Sequence, residues 1–323
     1  MGRVLGPLRQ ANNLLTIWRL GQLSGTVMTD IATEQIAAIS RLFSSGVIHE
    51  MARKGKSPLF ARLVHESGLT ASSRESDAVH DFFELAFSLL KQEGFRHEYI
   101  YKAALTHKVL LGKHSLQTAS MLTEFRVGEC KADLAILNGT ATVYEIKSER
   151  DSLVRLDRQV RAYSDVFARV YVIAADAHVE AVLRTVPDGV GVLCLNRRHN
   201  ISTVREAVDQ AEQTSPSAIF DSIRTQEARM ILDAQGIRLP SVPNTELSRA
   251  LRHHFVQLEP SVAHDGMVRV LKKTRNLQPL SKLVAQLPPS LHTAALSVPL
   301  RKTDHLRLVS AVNTPMRDAM GWA

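Results

Sequence analysis

The sequence predicts an α/β protein: a mixed sheet in the order α-β-β-β-α-β, with helical N- and C-terminal extensions. Three observations carry this expectation. Apolar residues recur at helical spacing up to about residue 111, and the period then changes to alternating or continuous apolar runs as far as Lys147. From there to Asn200, helical and strand-like segments alternate. Crossover connections of this kind favour a mixed sheet covered by helices.

The elements follow in order. Ile31, Ile36, Ile39 and Leu42 recur as on a helix, and Pro58-Leu59-Phe60 opens a second apolar-periodic stretch. Gly68 and Ser72-Ser73 mark a boundary. A helix is expected from Asp77 to Gln92, with Val79, Phe82, Phe83, Ala86, Leu89 and Leu90 inward and Gly94 as its stop. Another is expected from Tyr101 to Leu111. Strands are expected at Thr123–Val127, Lys131–Leu137 and Ala141–Lys147, the last two joined by Asn138-Gly139, a two-residue hairpin signal. A helix capped by Asp151 or Ser152 then carries Leu153, Leu156, Val160, Tyr163 and Phe167 inward. Strand Val170–Ala174, helix Ala177–Thr185 and strand Val190–Leu195 follow. Beyond Asn200 the strand signal fades into helical segments near Glu227–Ala234, Glu246–Phe255, Ala263–Leu271 and Leu280–Leu287. The expected organisation is a helical region over 1–72, an α/β core over 73–200 and a mostly helical domain over 201–323. Residues 1–27 read as an extension, with Met28 as an alternative start.

Charge is unevenly spread. The net +8 arises from 40 Lys plus Arg against 32 Asp plus Glu. Residues 73–200 carry 17 of each sign, so the excess lies in the flanks. A neutral centre bracketed by basic segments suits a catalytic core whose neighbours grip phosphates, and solvated helix faces explain the same charge. Two cysteines, Cys130 and Cys194, are too few for a disulfide framework or a four-thiolate zinc site, which points to the cytoplasm. No run reaches the roughly 18 apolar residues of a membrane span.

The chemistry concentrates in Lys131–Leu137 and Val143–Lys147. Side chains alternate along a strand, so Glu145 and Lys147 share one face while Ile146 turns to the other. An antiparallel hairpin brings Asp133 towards Glu145. Two carboxylates with the Ile146 carbonyl make an oxygen half-cage for Mg²⁺, with Mn²⁺ as a substitute. Lys147 relieves the carboxylate repulsion and stands where a transition-state anion needs a donor. On the following helix Gln159 and Tyr163 are four residues apart and lean towards the strand ends. Arg155, Arg158 and Arg161 can meet phosphates. The competing reading is a solvated polar strip on an edge strand.

At these residues the sequence resembles the PD-(D/E)XK nuclease superfamily: Asp133, then Glu145-x-Lys147, then Gln159 and Tyr163 on the next helix. The likeness covers about residues 75–197 and is nearest to a bacterial branch with an E-I-K-S-x-x-D-S-L-x-R-L-x-x-Q-x-x-x-Y run. It implies a restriction-endonuclease-like core and Mg²⁺-dependent hydrolysis of nucleic acid, with Asp133, Glu145, Lys147 and Gln159 catalytic and with Arg155, Arg158 and Tyr163 expected to contact the nucleic acid. The superfamily usually adds a further acid, for which Glu84, Glu98 and Glu124 compete and Glu124 is favoured. Ala132 stands where proline is frequent. Glu149 is a candidate peripheral ligand.

Other signals carry less. His49-Glu50 lacks the second histidine of a zinc protease, since position 53 is Arg. Gly189-Val190-Gly191 lacks the rest of a dinucleotide fingerprint. The expected function is a cytoplasmic nuclease acting on nucleic acid, DNA foremost, in defence, restriction or repair. The rivals are a non-cleaving nucleic-acid-binding or regulatory module of the same fold and a protein–protein adaptor. Partners expected are DNA, a second copy of the chain or another protein.

Overall fold

The computed structural model describes residues 32–69, 77–238 and 242–323. It divides the chain into two compact units. One contains the described residues up to Tyr99 together with Lys282–Ala323, and the other is Ile100–Ser281. The helix Glu98–Leu105 crosses this division and is described with the second unit, to which all but its first two residues belong.

The first unit is helical. Thr33–Arg41, Ser45–Lys54, Pro58–Ser67 and Val79–Leu90 are joined by Pro289–Ser297 and Lys302–Val312 from the other end of the chain. Ser57 caps the third of these by accepting from Phe60 N at 3.0 Å, with Pro58 in the first turn, where its missing N–H costs nothing. Phe43, Phe60, Phe83, Phe87 and Tyr99 meet ring to ring in its core. Glu50 is structural here, accepting from Ser57 Oγ at 2.7 Å and from Leu59 N. These units differ from the expected division at 72 and 200, because helix Lys302–Val312 packs on Ser45–Lys54, a long-range pairing that no local period encodes. The Ser72-Ser73 boundary, the 1–27 extension and Met28 lie outside the described residues.

The second unit is built on a six-stranded mixed sheet in sequential order: β1 (Ser120–Val127), β2 (Cys130–Leu137), β3 (Ala141–Lys147), β4 (Arg169–Ala175), β5 (Gly191–Leu195) and β6 (Ile201–Arg205). β1, β2 and β3 form an antiparallel meander, β3, β4 and β5 are parallel, and β6 returns antiparallel to β5. The crossover helices are Leu156–Ser164 and Val179–Thr185. All seven residues of β3 are buried, as expected of a central strand covered on both faces.

Several local expectations are corrected. The β2–β3 loop has three residues, 138–140, between the paired Leu137 and Ala141. The two-residue turn is instead Gly128-Glu129, where Gly128 takes φ +56°, a conformation that suits glycine. Asp151 caps no helix: it folds back to accept from Ser148 N and Oγ, and the helix begins at Leu156. Strand β6 lies where only helix was expected. It is a mostly exposed edge strand, so it carries no apolar alternation to read.

Behind the sheet, helices Pro216–Ser222, Thr225–Ala234, Asn244–Phe255 and Pro260–Thr274 join the core that helix Leu156–Ser164 shares with the strands. A Cβ on Gly266 would stand 2.7 Å from Ile231, so glycine permits the close approach of the second and fourth of these helices. No helix among the described residues is long and apolar enough to cross a membrane.

Candidate functional site

The strand alternation breaks where the acids sit. The core shared with helix Leu156–Ser164 takes Leu122, Phe125 and Val127 from β1, and Cys130, Ala132, Ala135 and Leu137 from β2. The steps from 122 to 125 and from 132 to 135 are three residues long, whereas a regular strand repeats every two. Glu124 and Asp133 fall inside these steps. They lie opposite each other without pairing, between Thr123↔Leu134 and Phe125↔Ala132. Glu124 has φ +56°, an uncommon conformation for a residue with a side chain. Backbone held in such a region clusters at functional sites.

Asp133 reaches β3 through its side chain. The β2–β3 ladder ends at Leu134↔Tyr144, and beyond it Asp133 Oδ2 accepts from Ile146 N at 2.7 Å. Ile146 therefore enters the site through its N–H.

Glu145 and Lys147 lie on one face, as the two-residue step requires, and both are buried. Lys147 Nζ donates to Glu145 Oε1 at 2.8 Å and to Gln159 Oε1 at 3.0 Å. The Tyr163 hydroxyl lies 2.9 Å from Glu145 Oε2 and 3.0 Å from the Lys131 carbonyl. The strand ends and helix Leu156–Ser164 thus share one polar network inside an apolar core. Burial pushes the Tyr163 hydroxyl far above its ordinary value, and the charge of Glu145 and its hydrogen bond add to the shift. The hydroxyl stays protonated and serves as a donor.

Tyr163 departs from its expected role. It is fully buried, so it positions Glu145 rather than meeting a nucleic acid. Tyr163→Phe is expected to cost about 1–3 kcal/mol, the penalty for a buried acceptor that loses its donor. Urea denaturation measures it, and an unchanged midpoint would show that the hydroxyl bears no load.

A second set of carboxylates adjoins the first. One carboxylate oxygen of Glu124 and one of Asp133 lie within 4.8 Å of each other. Glu124 receives Lys102 Nζ at 2.8 Å and Lys131 Nζ at 2.6 Å, and Glu98, another of the candidate acids, opens helix Glu98–Leu105. Burial by itself raises the Glu124 pKa, but the hydrogen bonds and charges of the two lysines outweigh it and hold the carboxyl below its usual range. Of the candidate metal ligands, Glu124 and Asp133 belong to this group and Glu145 does not. Both members offer hard oxygen donors, the type that suits Mg²⁺.

Among the competing acids, Glu84 leaves the site altogether. It sits in the helical unit, where it accepts from Ser290 N at 3.0 Å at the start of helix Pro289–Ser297. Arg155 and Arg158 are exposed beside the network, with Arg158 4.0 Å from Glu129, and Arg161 pairs with Asp157. Lys102 and Lys131, which no sequence signal singled out, supply the countercharge on Glu124. Lys102 lies 22 residues from Glu124, so only the packed fold reveals the pair.

Comparison with known proteins adds a family. Protein cII of Enterobacteria phage P4 is 36% identical over 103 residues, which is 31% of this chain and 38% of that protein. The alignment thus spans well under half of the relative's length. No solved structure matches. The profile of the Bacteriophage P4 protein cII family matches residues 91–282, which takes in the whole sheet and the network just described. With that match covering more than half of its length, the chain belongs to the Bacteriophage P4 protein cII family.

Proposed function

We propose that the second unit is a metal-dependent phosphodiesterase acting on nucleic acid, DNA foremost, on a restriction-endonuclease-like core. The observation that carries this reading is the junction of Asp133, Glu145, Lys147 and Gln159 where β2, β3 and helix Leu156–Ser164 meet, with the Glu124 carboxylate beside Asp133. Glu124 and Asp133 are the residues that would hold Mg²⁺ or Mn²⁺. A divalent ion there would supply countercharge for the scissile phosphate and a water acidic enough to attack at neutral pH.

The chain's own residues do the positioning. Lys147 spends two of its three N–H bonds on Glu145 and Gln159, which leaves the third for a phosphate oxygen or the attacking water. Burial keeps bulk water from screening that contact, and a fixed donor of this kind is worth about 10²–10³ in rate. Asp133 is held by the Ile146 N–H, and one of its oxygens lies within 4.8 Å of a Glu124 oxygen. Arg155 and Arg158 would meet the flanking phosphates.

One observation favours a second reading, a module that binds nucleic acid without cleaving it. Glu124 and Glu145 each have both oxygens engaged by lysine or tyrosine donors. A divalent-ion screen on mixed DNA and RNA substrates separates the two. Mg²⁺-stimulated cleavage that disappears in Asp133→Ala is the expected result. Binding that weakens steeply with salt, with no cleavage under any ion, would support the second reading and overturn the first.

A further inference from the structure

The sheet face turned away from helix Leu156–Ser164 carries a cavity of about 340 Å³, within the size range of small-ligand pockets. Its floor is aromatic. Tyr144 and Tyr171 are register partners on β3 and β4, with rings stacked at 5.6 Å between centroids and 14° between planes. Gly191 is the partner of Tyr171 on β5, and a Cβ there would run into the Tyr171 ring. Glycine therefore lets that ring lie across the sheet, which gives Gly191 a role that the sequence motif lacked.

The rim is cationic, and a helix irregularity helps to make it so. The helix that begins at Glu98 widens into a π-turn over Thr106–Leu110 before ending at Lys113. Bonds from i to i+5 bring residues five apart towards the same side, whereas the α-helical turn of 3.6 residues separates them. Lys108 and Lys113 have this spacing, and both line the cavity. Gly112 accommodates the widened turn, since a Cβ there would stand 2.8 Å from the His107 carbonyl.

The charge on this rim is not cancelled. Lys108 donates to the neutral Asn200 at 2.7 Å, and Lys113 forms no ion pair among the described residues. The acid in the wall, Glu206, is engaged by the Tyr171 hydroxyl, and Arg169 is paired with Asp209. An aromatic floor with two ammonium groups at its rim suits a ligand with a planar ring and a phosphate.

We propose that this cavity binds a nucleotide, with the ring near Tyr144 and Tyr171 and the phosphate at Lys108 and Lys113. A free nucleotide and one residue of a single strand share that chemistry. The site lies on the face opposite Glu145 and Lys147 and needs no divalent ion, so it stands or falls apart from the proposed hydrolysis.

The test is calorimetric titration of the full chain in EDTA with AMP, UMP, a short single-stranded oligonucleotide and inorganic phosphate. Both lysines are exposed, so Lys108→Ala/Lys113→Ala should fold normally, which a thermal melt checks. The expected result is binding of a mononucleotide or the oligonucleotide that weakens about tenfold or more in the double variant, as loss of charge-assisted contacts implies. Preference for the mononucleotides assigns a free ligand, and preference for the oligonucleotide assigns a strand. No binding by any nucleotide probe, equal affinity in the double variant, or phosphate alone binding as tightly as AMP would each overturn the proposal.

Discussion

Lys147→Ala is expected to abolish cleavage and to unfold more easily than the parent chain. The lysine lies against Glu145 and Gln159 with 7% of its side chain exposed, and Glu145 is at 3%. Removing one partner of a buried pair leaves an uncompensated charge, at a cost of about 3–5 kcal/mol. Two further variants separate stability from chemistry. Lys147→Met fills the volume but still strands the carboxylate, whereas Glu145→Gln/Lys147→Met removes both charges. The double variant should therefore melt above Lys147→Met, while neither cleaves. Cleavage that persists in Lys147→Met would end the assigned role of the ammonium group. A melt unchanged from the parent would show that the pair bears no load.

The constellation behind this prediction was legible because strand geometry forces it. Glu145 and Lys147 share a face by the two-residue step, and Gln159 and Tyr163 share one by the helical step of four. Both steps survive in the network as found. The approach of Glu124 to Asp133 was less legible, since both sit at irregular positions of their strands. Glu124 comes from a position in β1 with φ +56°, and Asp133 from a strand whose alternation breaks at that point. A reading that assumes regular alternation has no means of placing side chains across such a break.

The fold shows the same division. β1 to β5 announce themselves because burial gives them apolar runs, and β6 is silent because it is exposed. Helix Pro289–Ser297 is silent for the opposite reason. Ser290, Leu291, Thr293, Ala294, Ala295 and Leu296 are all buried, so the helix has no polar face against which a periodic apolar stripe would stand out.

Glu227→Ala is expected to cost about 3–5 kcal/mol, an effect seated far in sequence from the proposed chemistry. Glu227 stands at the third position of helix Thr225–Ala234 and accepts from Arg224 N at 2.8 Å, closing the helix start. The same carboxylate accepts from Arg275 Nη2 at 3.0 Å, Arg275 Nε at 3.2 Å and Thr274 Oγ1 at 3.0 Å. Arg275 also lies over the Phe125 ring, and its carbonyl accepts from Ser120 Oγ. One buried carboxylate thus joins two helices to β1. Burial alone raises its pKa, but the hydrogen bonds from Arg275 and the Arg224 amide outweigh this and hold it below the usual carboxylate range. A depressed folded pKa means that the stabilisation is present in full above the unfolded value and is lost as pH falls through the folded one. Glu227→Gln, which keeps the shape and removes the charge, should therefore differ from the parent most at neutral pH. Urea denaturation of both proteins from pH 7 down to pH of about 3 should show their midpoints converging in acid. A gap that stays constant across that range would mean that the charge contributes nothing and that the carboxylate acts through its shape alone.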